Sequence, residues 1–148
     1  MIQSWLAKKL VSRAMARNRE GDISLTLALD APDVILTFPG DNSWSGTFRG
    51  KAAVKRWLER LARIGLQTFP DEVVAVGPPW NTTLCIRGHD YLKSPEGETV
   101  YENRFVIWGK LKWGRLREYE VYEDTIKPRA LDEWLAVHEP KAVTAAAS

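Results

Sequence analysis

The sequence predicts one α+β domain in which a cone-shaped, curved antiparallel sheet packs on three helices around an apolar pocket. Three observations predict it. Apolar residues recur at helical spacing up to Ile64, the period shortens to that of strands from Leu66 onward, and glycine- and proline-rich turns separate the strand-like stretches. Helices followed by a run of strands is a segregated order, so the sheet buries one face on the helices, and its curvature leaves a hollow. At 148 residues the chain fits a single domain, assigned to residues 1–138, with 139–148 as a disordered tail.

Residues 2–18 form the first helix. Trp5, Leu6, Leu10, Ala14 and Met15 make an apolar stripe on it, while Lys8, Lys9, Arg13, Arg17 and Arg19 occur with no acid before Glu20. Such a basic stretch superficially resembles a transit peptide or a membrane-surface helix; the stripe is read instead as the face of a surface helix that covers a core. The helix stops near Gly21, and Asp22 caps a second, short helix that Asp30, Ala31 and Pro32 break. Residues 34–38 are a short strand ended by Pro39 and Gly40, and the polar loop 41–45 leads to a second short strand ending at Arg49. Gly50 opens the third helix. Its core face carries Ala53, Val54, Trp57, Leu58, Leu61 and Ile64, and its wet side carries Lys51, Lys55, Arg56, Glu59 and Arg60.

Four strands follow, over 66–76, 82–93, 99–111 and 115–126, as an antiparallel meander. Gly77-Pro78-Pro79, Ser94-Pro95-Glu96-Gly97 and Lys112-Trp113-Gly114 supply the turns. Pro128 ends the last strand, and a closing helix over 130–138 docks Leu131, Trp134 and Leu135. The third strand is apolar on both alternations through Phe105, Val106, Ile107 and Trp108, so both faces of the sheet are covered there. Helices cover one face and a second subunit covers the other, which makes the chain a homodimer.

Composition removes several function classes. Hydrophobic residues are 45% and charged residues 27% of the chain, and no stretch approaches a membrane span, so the expectation is a soluble protein with no membrane partner. No export signal is visible, and the reading is cytoplasmic. Twenty-one basic against 19 acidic residues leave +2, which argues against nucleic acid as a partner. The one cysteine, Cys85, excludes an internal disulfide, and with His89 and His138 it gives no metal-binding spacing. No metal or cofactor is expected.

Gly21-Asp22 lies between the first two helices, and Ala31-Pro32-Asp33-Val34 leads to Phe38-Pro39-Gly40. Gly46-Thr47-Phe48-Arg49-Gly50-Lys51 enters the third helix, and Gly114-Arg115-Leu116 is followed by Tyr119, Tyr122 and Asp124. Their order and spacing resemble the SnoaL-like (polyketide-cyclase-like) branch of the nuclear-transport-factor-two-like superfamily, over most of the chain. The resemblance implies a cystatin-like, nuclear-transport-factor-like roll. It does not imply one reaction, because the superfamily includes ketosteroid isomerases, epoxide hydrolases, polyketide cyclases and dehydratases. The carboxylate, tyrosine and later acid of the steroid isomerases match Phe38, Ala14 and a position near Val106, so that set is absent. The Arg-x-Asp unit of limonene-type epoxide hydrolases matches Arg87-Gly88-His89-Asp90 with one residue too many. Their last-strand acid, like the base of the cyclases, aligns with Val121. A one-residue slip would bring Glu120 there but turn its neighbours to the wrong face.

With Val121 facing the hollow, alternation places Tyr119 and Glu123 beside it and sends Glu118, Glu120, Tyr122 and Asp124 outward. Trp57 and Phe38 meet that lining from the opposite wall, with a void between, or else large side chains fill the space. Asp90, with His89 adjacent and Arg87 three before, is the first candidate for proton chemistry. Adjacent strand residues point oppositely, so Asp90 and His89 share the pocket only with a bulge at Gly88. The plainer reading is a surface Asp–Arg pair and a solvated histidine. Glu123 is either a general base at the mouth or a cross-strand partner of Arg104, the latter preferred. Tyr101 and Asn103 share a strand face and could orient a ligand carbonyl or cross-link a dimer.

The loop Pro78-Pro79-Trp80-Asn81-Thr82-Thr83 holds Trp80 as a lid or as a plug at the end of the sheet, and Asn81-Thr82-Thr83 matches a glycosylation acceptor only formally. Cys85, mid-strand with no base beside it, reads as a small buried residue. The leading expectation is a domain that binds a small hydrophobic molecule. Its cofactor-independent acid–base activity of isomerase, cyclase or hydrolase type would rest on Asp90 or Glu123, with pocket residues Phe38, Trp57, Tyr119, Val121 and Asn103. The alternative is a non-catalytic dimerisation or partner-binding module.

Overall fold

The structure, a computed structural model, describes residues 2–144, with side chains through Ala142; Met1 and the end of the expected tail, 145–148, lie outside the described residues. Two helices, α1 (Ile2–Arg19) and α2 (Ser24–Leu29), precede β1 (Asp30–Phe38) and β2 (Gly46–Arg49). Then come α3 (Lys51–Ile64), the strands β3 (Gln67–Val76), β4 (Thr82–Lys93), β5 (Thr99–Lys112) and β6 (Arg115–Glu123), and finally α4 (Ile126–His138) and α5 (Pro140–Thr144).

The six strands form one sheet in the order β2-β1-β6-β5-β4-β3. The expected antiparallel meander is present from β3 to β6. One pairing departs from it: β1 lies parallel to β6, with Leu36 opposite Tyr119. Strands so far apart in sequence pair in parallel when a long crossover lies between them, and residues 39–114 supply it. α1 is fastened across β3 by Ser4, whose Oγ donates to the Ala75 carbonyl at 3.1 Å and accepts from the Ala75 N–H at 3.0 Å. Glycine at 50 has φ of 86°, a conformation open to residues without a Cβ, and lets the chain turn from β2 into α3. Val34, Leu36, Val54 and Leu135 are the fully closed centre of the core.

Several boundaries correct the expectations. Asp30, Ala31 and Pro32 do end α2, but β1 starts at Asp30, with an irregularity in its pairing to β6 between Asp30 and Ile35 that accommodates the proline. The last strand stops at Glu123, and Pro128 sits inside the first turn of α4, where the backbone N–H groups have no helical partner and a proline forfeits nothing. Residues 140–144 of the expected tail form α5, whose Ala142 is buried. Arg60, expected on the wet side of α3, is 5% exposed, with its guanidinium 3.6 Å over the Trp44 ring and Nε donating to the Ala142 carbonyl at 2.5 Å. The covering stripe of α1 is buried only at Ala14, partly at Met15, and Trp5, Leu6 and Leu10 are exposed.

Candidate functional site

The hollow expected from the curvature is an open chamber of about 700 Å³, bounded by the inner face of β4, β5 and β6 on one side and by α1 and α3 on the other. Its mouth runs along α1, where Ile2, Leu6 and Leu10 line it while remaining 78%, 54% and 41% exposed. The stripe of α1 thus ends as the rim of a cavity, which explains why half of it reaches no core. Phe38, Trp57, Tyr119 and Val121 all line the chamber. Trp57 is fixed by its Nε1, which donates to the Trp44 carbonyl at 3.1 Å, and by the Phe38 ring at 5.4 Å.

Alternation on β4 decides the fate of the Arg87-Gly88-His89-Asp90 string. The irregularity falls on β3, between Pro70 and Glu72, and leaves β4 regular. Asp90 therefore points in and His89 out. His89 Nδ1 lies 2.9 Å from Asp71 and stacks on Phe69 at 5.1 Å, and Arg87 pairs with Glu72 at 2.8 Å on the surface. The expected surface pair of Asp90 with Arg87 is therefore not formed, because the two point to opposite faces of β4 and Arg87 pairs with Glu72; Asp90 is buried and lines the chamber, with its Oδ1 unpartnered. Gly88 is required here. A Cβ would come within 2.3 Å of the Phe69 carbonyl and 2.5 Å of the Phe105 ring.

Glu123 also enters the chamber, opposite Phe105 in the β5–β6 register, while Arg104 faces outward, so the cross-strand Glu123–Arg104 pair is not formed. Its neighbour is Tyr101, whose hydroxyl lies 3.5 Å from Glu123 Oε1. Asn103, expected in the lining, stands behind that hydroxyl. Its Nδ2 donates to Tyr101 Oη at 3.2 Å and to the Asp124 carbonyl at 3.0 Å, and it borders a smaller cleft of about 500 Å³ with Glu102, Arg104 and Lys127. An amide with both donors engaged positions Tyr101 and has no reach into the chamber.

Dry surroundings set the protonation of this wall. Burial, against the opposing charges of His89 and Lys127, pushes Asp90 up to about 7. Burial, then the charge of Asp90, pushes Glu123 up to about 8, although the Tyr101 hydrogen bond opposes it. Burial together with these two acids keeps the Tyr101 hydroxyl protonated far above its ordinary value. Three adjacent strands thus present a coupled carboxyl pair and a neutral hydroxyl donor in an apolar wall, a set able to take, give and orient a proton.

One group escaped sequence reasoning. Asp30 is fully buried in the chamber lining, and neither of its oxygens has a partner. Strand alternation does not find it, because Asp30 and Ala31 are both buried, Pro32 is exposed, and the pairing with β6 is irregular between Asp30 and Ile35. Trp80, expected as lid or plug, is exposed and packs on Trp113 at 6.0 Å, outside the lining. Cys85 is half-buried on the outward alternation of β4.

No family model matches the chain, and no curated protein matches it. Solved structures do. An NTF2-like protein of unknown function from Burkholderia pseudomallei K96243 is 20% identical with a TM-score of 0.66, covering 92% of this chain and 95% of its own. TerC, crystallised with polyporic acid, is 24% identical with a TM-score of 0.65, covering 80% and 91%. PrhC from Penicillium brasilianum NBRC 6234 is 13% identical with a TM-score of 0.71, covering 93% and 91%. At these identities the likeness is one of fold.

Proposed function

We propose that this chain, which has the NTF2-like fold its sequence resembles, binds a small and largely hydrophobic molecule in the chamber. There it moves a proton by cofactor-independent acid–base chemistry of isomerase, cyclase or hydrolase type. The single observation that carries this reading is Asp90 on β4 and Glu123 on β6, both lining an otherwise apolar wall and acting on each other across β5, whose Tyr101 hydroxyl lies 3.5 Å from Glu123. With values of about 7 and about 8, the pair holds a proton near neutrality, so that one carboxyl can donate while the other accepts. Tyr101 orients the reacting oxygen, and Asn103 orients Tyr101. The crystallisation of TerC with polyporic acid supports a small organic ligand for a chain of this shape.

A ligand selective for the folded chain raises its melting temperature. Screening terpenoids, steroids and aromatic polyketides by thermal shift is expected to give one class that stabilises by several degrees. Val121→Trp, which occupies the chamber, is expected to remove that response. A flat profile across all three classes would contradict ligand binding.

The outer face of the sheet supports a homodimer. Val74, Val76, Trp108 and Tyr122 stand exposed there, with Trp108 48% accessible, although they project from strands whose inner face is core. Sedimentation velocity at micromolar concentration is expected to give a dimer for the native chain and a monomer for Trp108→Glu. A monomeric native chain would remove this part of the proposal.

A further inference from the structure

Asp30 and Tyr119 make a second polar place in the chamber, away from the carboxyl pair. Asp30 lies opposite Leu116, near the start of β6 in the parallel β1–β6 register; Tyr119 stands midway along that strand, within reach of the Asp30 charge, and Glu123 ends it. From Leu116 to Glu123 is roughly 20 Å along the strand at about 3.3 Å per residue. Asp30 Oδ1, Asp30 Oδ2 and Tyr119 Oη are all buried without a hydrogen-bond partner, and both side chains line the chamber. Buried polar atoms are nearly always paired, and three orphans together beside open space mark where a ligand group belongs.

The charges around the chamber select the kind of group. Among the described residues its titratable lining consists of Asp30, Asp90, Glu123, Tyr101 and Tyr119, and no lysine, arginine or histidine contributes to it. Lys51 acts on Asp30 from α3 and Lys127 on Asp90 from α4, but neither lines the cavity. Arg60, the buried basic side chain among the described residues, directs its donors at Ser43 and Ala142 instead. A ligand carboxylate would meet acids and no cation. An ammonium would give hydrogen bonds to the two Asp30 oxygens and to Tyr119 Oη and would supply the charge a dry carboxylate lacks. No group of three or more His, Cys, Asp or Glu among the described residues is arranged to hold a metal ion.

We infer that Asp30 and Tyr119 form a subsite that takes the amine or ammonium group of an otherwise hydrophobic ligand. This rests on the reading of the chamber as a ligand site. Binding has a proton signature. Burial holds Asp30 protonated up to about 7, so an arriving ammonium ionises it, and below that pH the proton leaves to the buffer.

Decylamine, 1-decanol and decanoate share a chain and differ in head group. Isothermal titration at about pH 6.5, in two buffers of different ionisation heat, is expected to show decylamine binding at least about tenfold more tightly than decanol, with decanoate weakest. About one proton should be released with the amine and none with the alcohol. Asp30→Asn and Tyr119→Phe, each checked for a native melting transition, should bring amine and alcohol within about twofold. Equal binding of amine and alcohol, tighter binding of decanoate, or an amine preference that survives both substitutions would overturn the subsite while leaving the chamber a hydrophobic binding site. Failure of all three probes to bind would remove the ligand reading itself, and the subsite with it.

Discussion

Raising the pH from about 5 to about 8 is expected to lower the melting temperature of this protein by roughly 10–20 °C. Asp30, Asp90 and Glu123 are raised by burial to about 7, about 7 and about 8, against ordinary values of 3.8 for Asp and 4.5 for Glu. Between those limits the folded chain holds protons that the unfolded chain has released. Stability falls with pH wherever the folded state binds more protons, by ~1.4 kcal/mol per pH unit for each group. Stability is therefore greatest below about pH 4 as far as these groups are concerned, and is lost as the pH rises toward their folded-state values. Asp90 and Glu123 act on each other, so the pair counts as about one group, and Asp30 adds a second. Together they account for about 5 kcal/mol over this range, which for a chain of this length converts to the stated shift. Asp30→Asn keeps the shape of the side chain and removes its ionisation. It is expected to raise the melting temperature at about pH 8 and to leave it nearly unchanged at about pH 5. Equal destabilisation at both values would show that Asp30 is not held as a dry carboxyl.

Arg60→Ala is expected to cost about 3–5 kcal/mol of folding stability, read by urea denaturation. The guanidinium ties α3 to the loop before β2 and to α5. Its Nε donates to the Ala142 carbonyl of α5 at 2.5 Å, and one terminal nitrogen donates to the Ser43 carbonyl at 2.6 Å. The other terminal nitrogen bonds the Ser43 hydroxyl, which in turn bonds Asp132 of α4, and the plane lies on Trp44. Removal strands the two carbonyls and takes away a positive charge that interacts with Asp132. Arg60→Lys is expected to recover less than half of the loss, because an ammonium cannot reproduce the planar fork. A loss below about 1 kcal/mol for Arg60→Ala would mean that water replaces the network.

The arrangement of the sheet was legible because period and turn chemistry agree along the whole second half of the chain. The inward direction of Tyr119, Val121 and Glu123 followed from alternation alone, and β6 carries no bulge over that span to disturb it. Asp90 was legible as a candidate, but not its burial. The plain reading paired it with Arg87, and that pairing required a side chain on the wrong face of β4. Asp30 was hidden by Pro32, since helix-breaking signals and a buried strand start are written with the same residues. Arg60 was misread because charge assigned it to the wet face, although it stands three residues after Trp57 and so close to the core stripe of α3. Asn103 was assigned the right face and the wrong role, because strand alternation gives a direction and says nothing about which hydrogen bonds are already taken.

A carboxyl-carbon NMR titration of the isotope-labelled protein tests most directly whether dry acids face the chamber. Of the 19 acidic side chains, Asp30, Asp90 and Glu123 are expected to titrate at about 7, about 7 and about 8, with the Asp90 and Glu123 curves coupled. Titration of all three below about pH 5, in the ordinary carboxylate range, would contradict the chamber wall described for this protein.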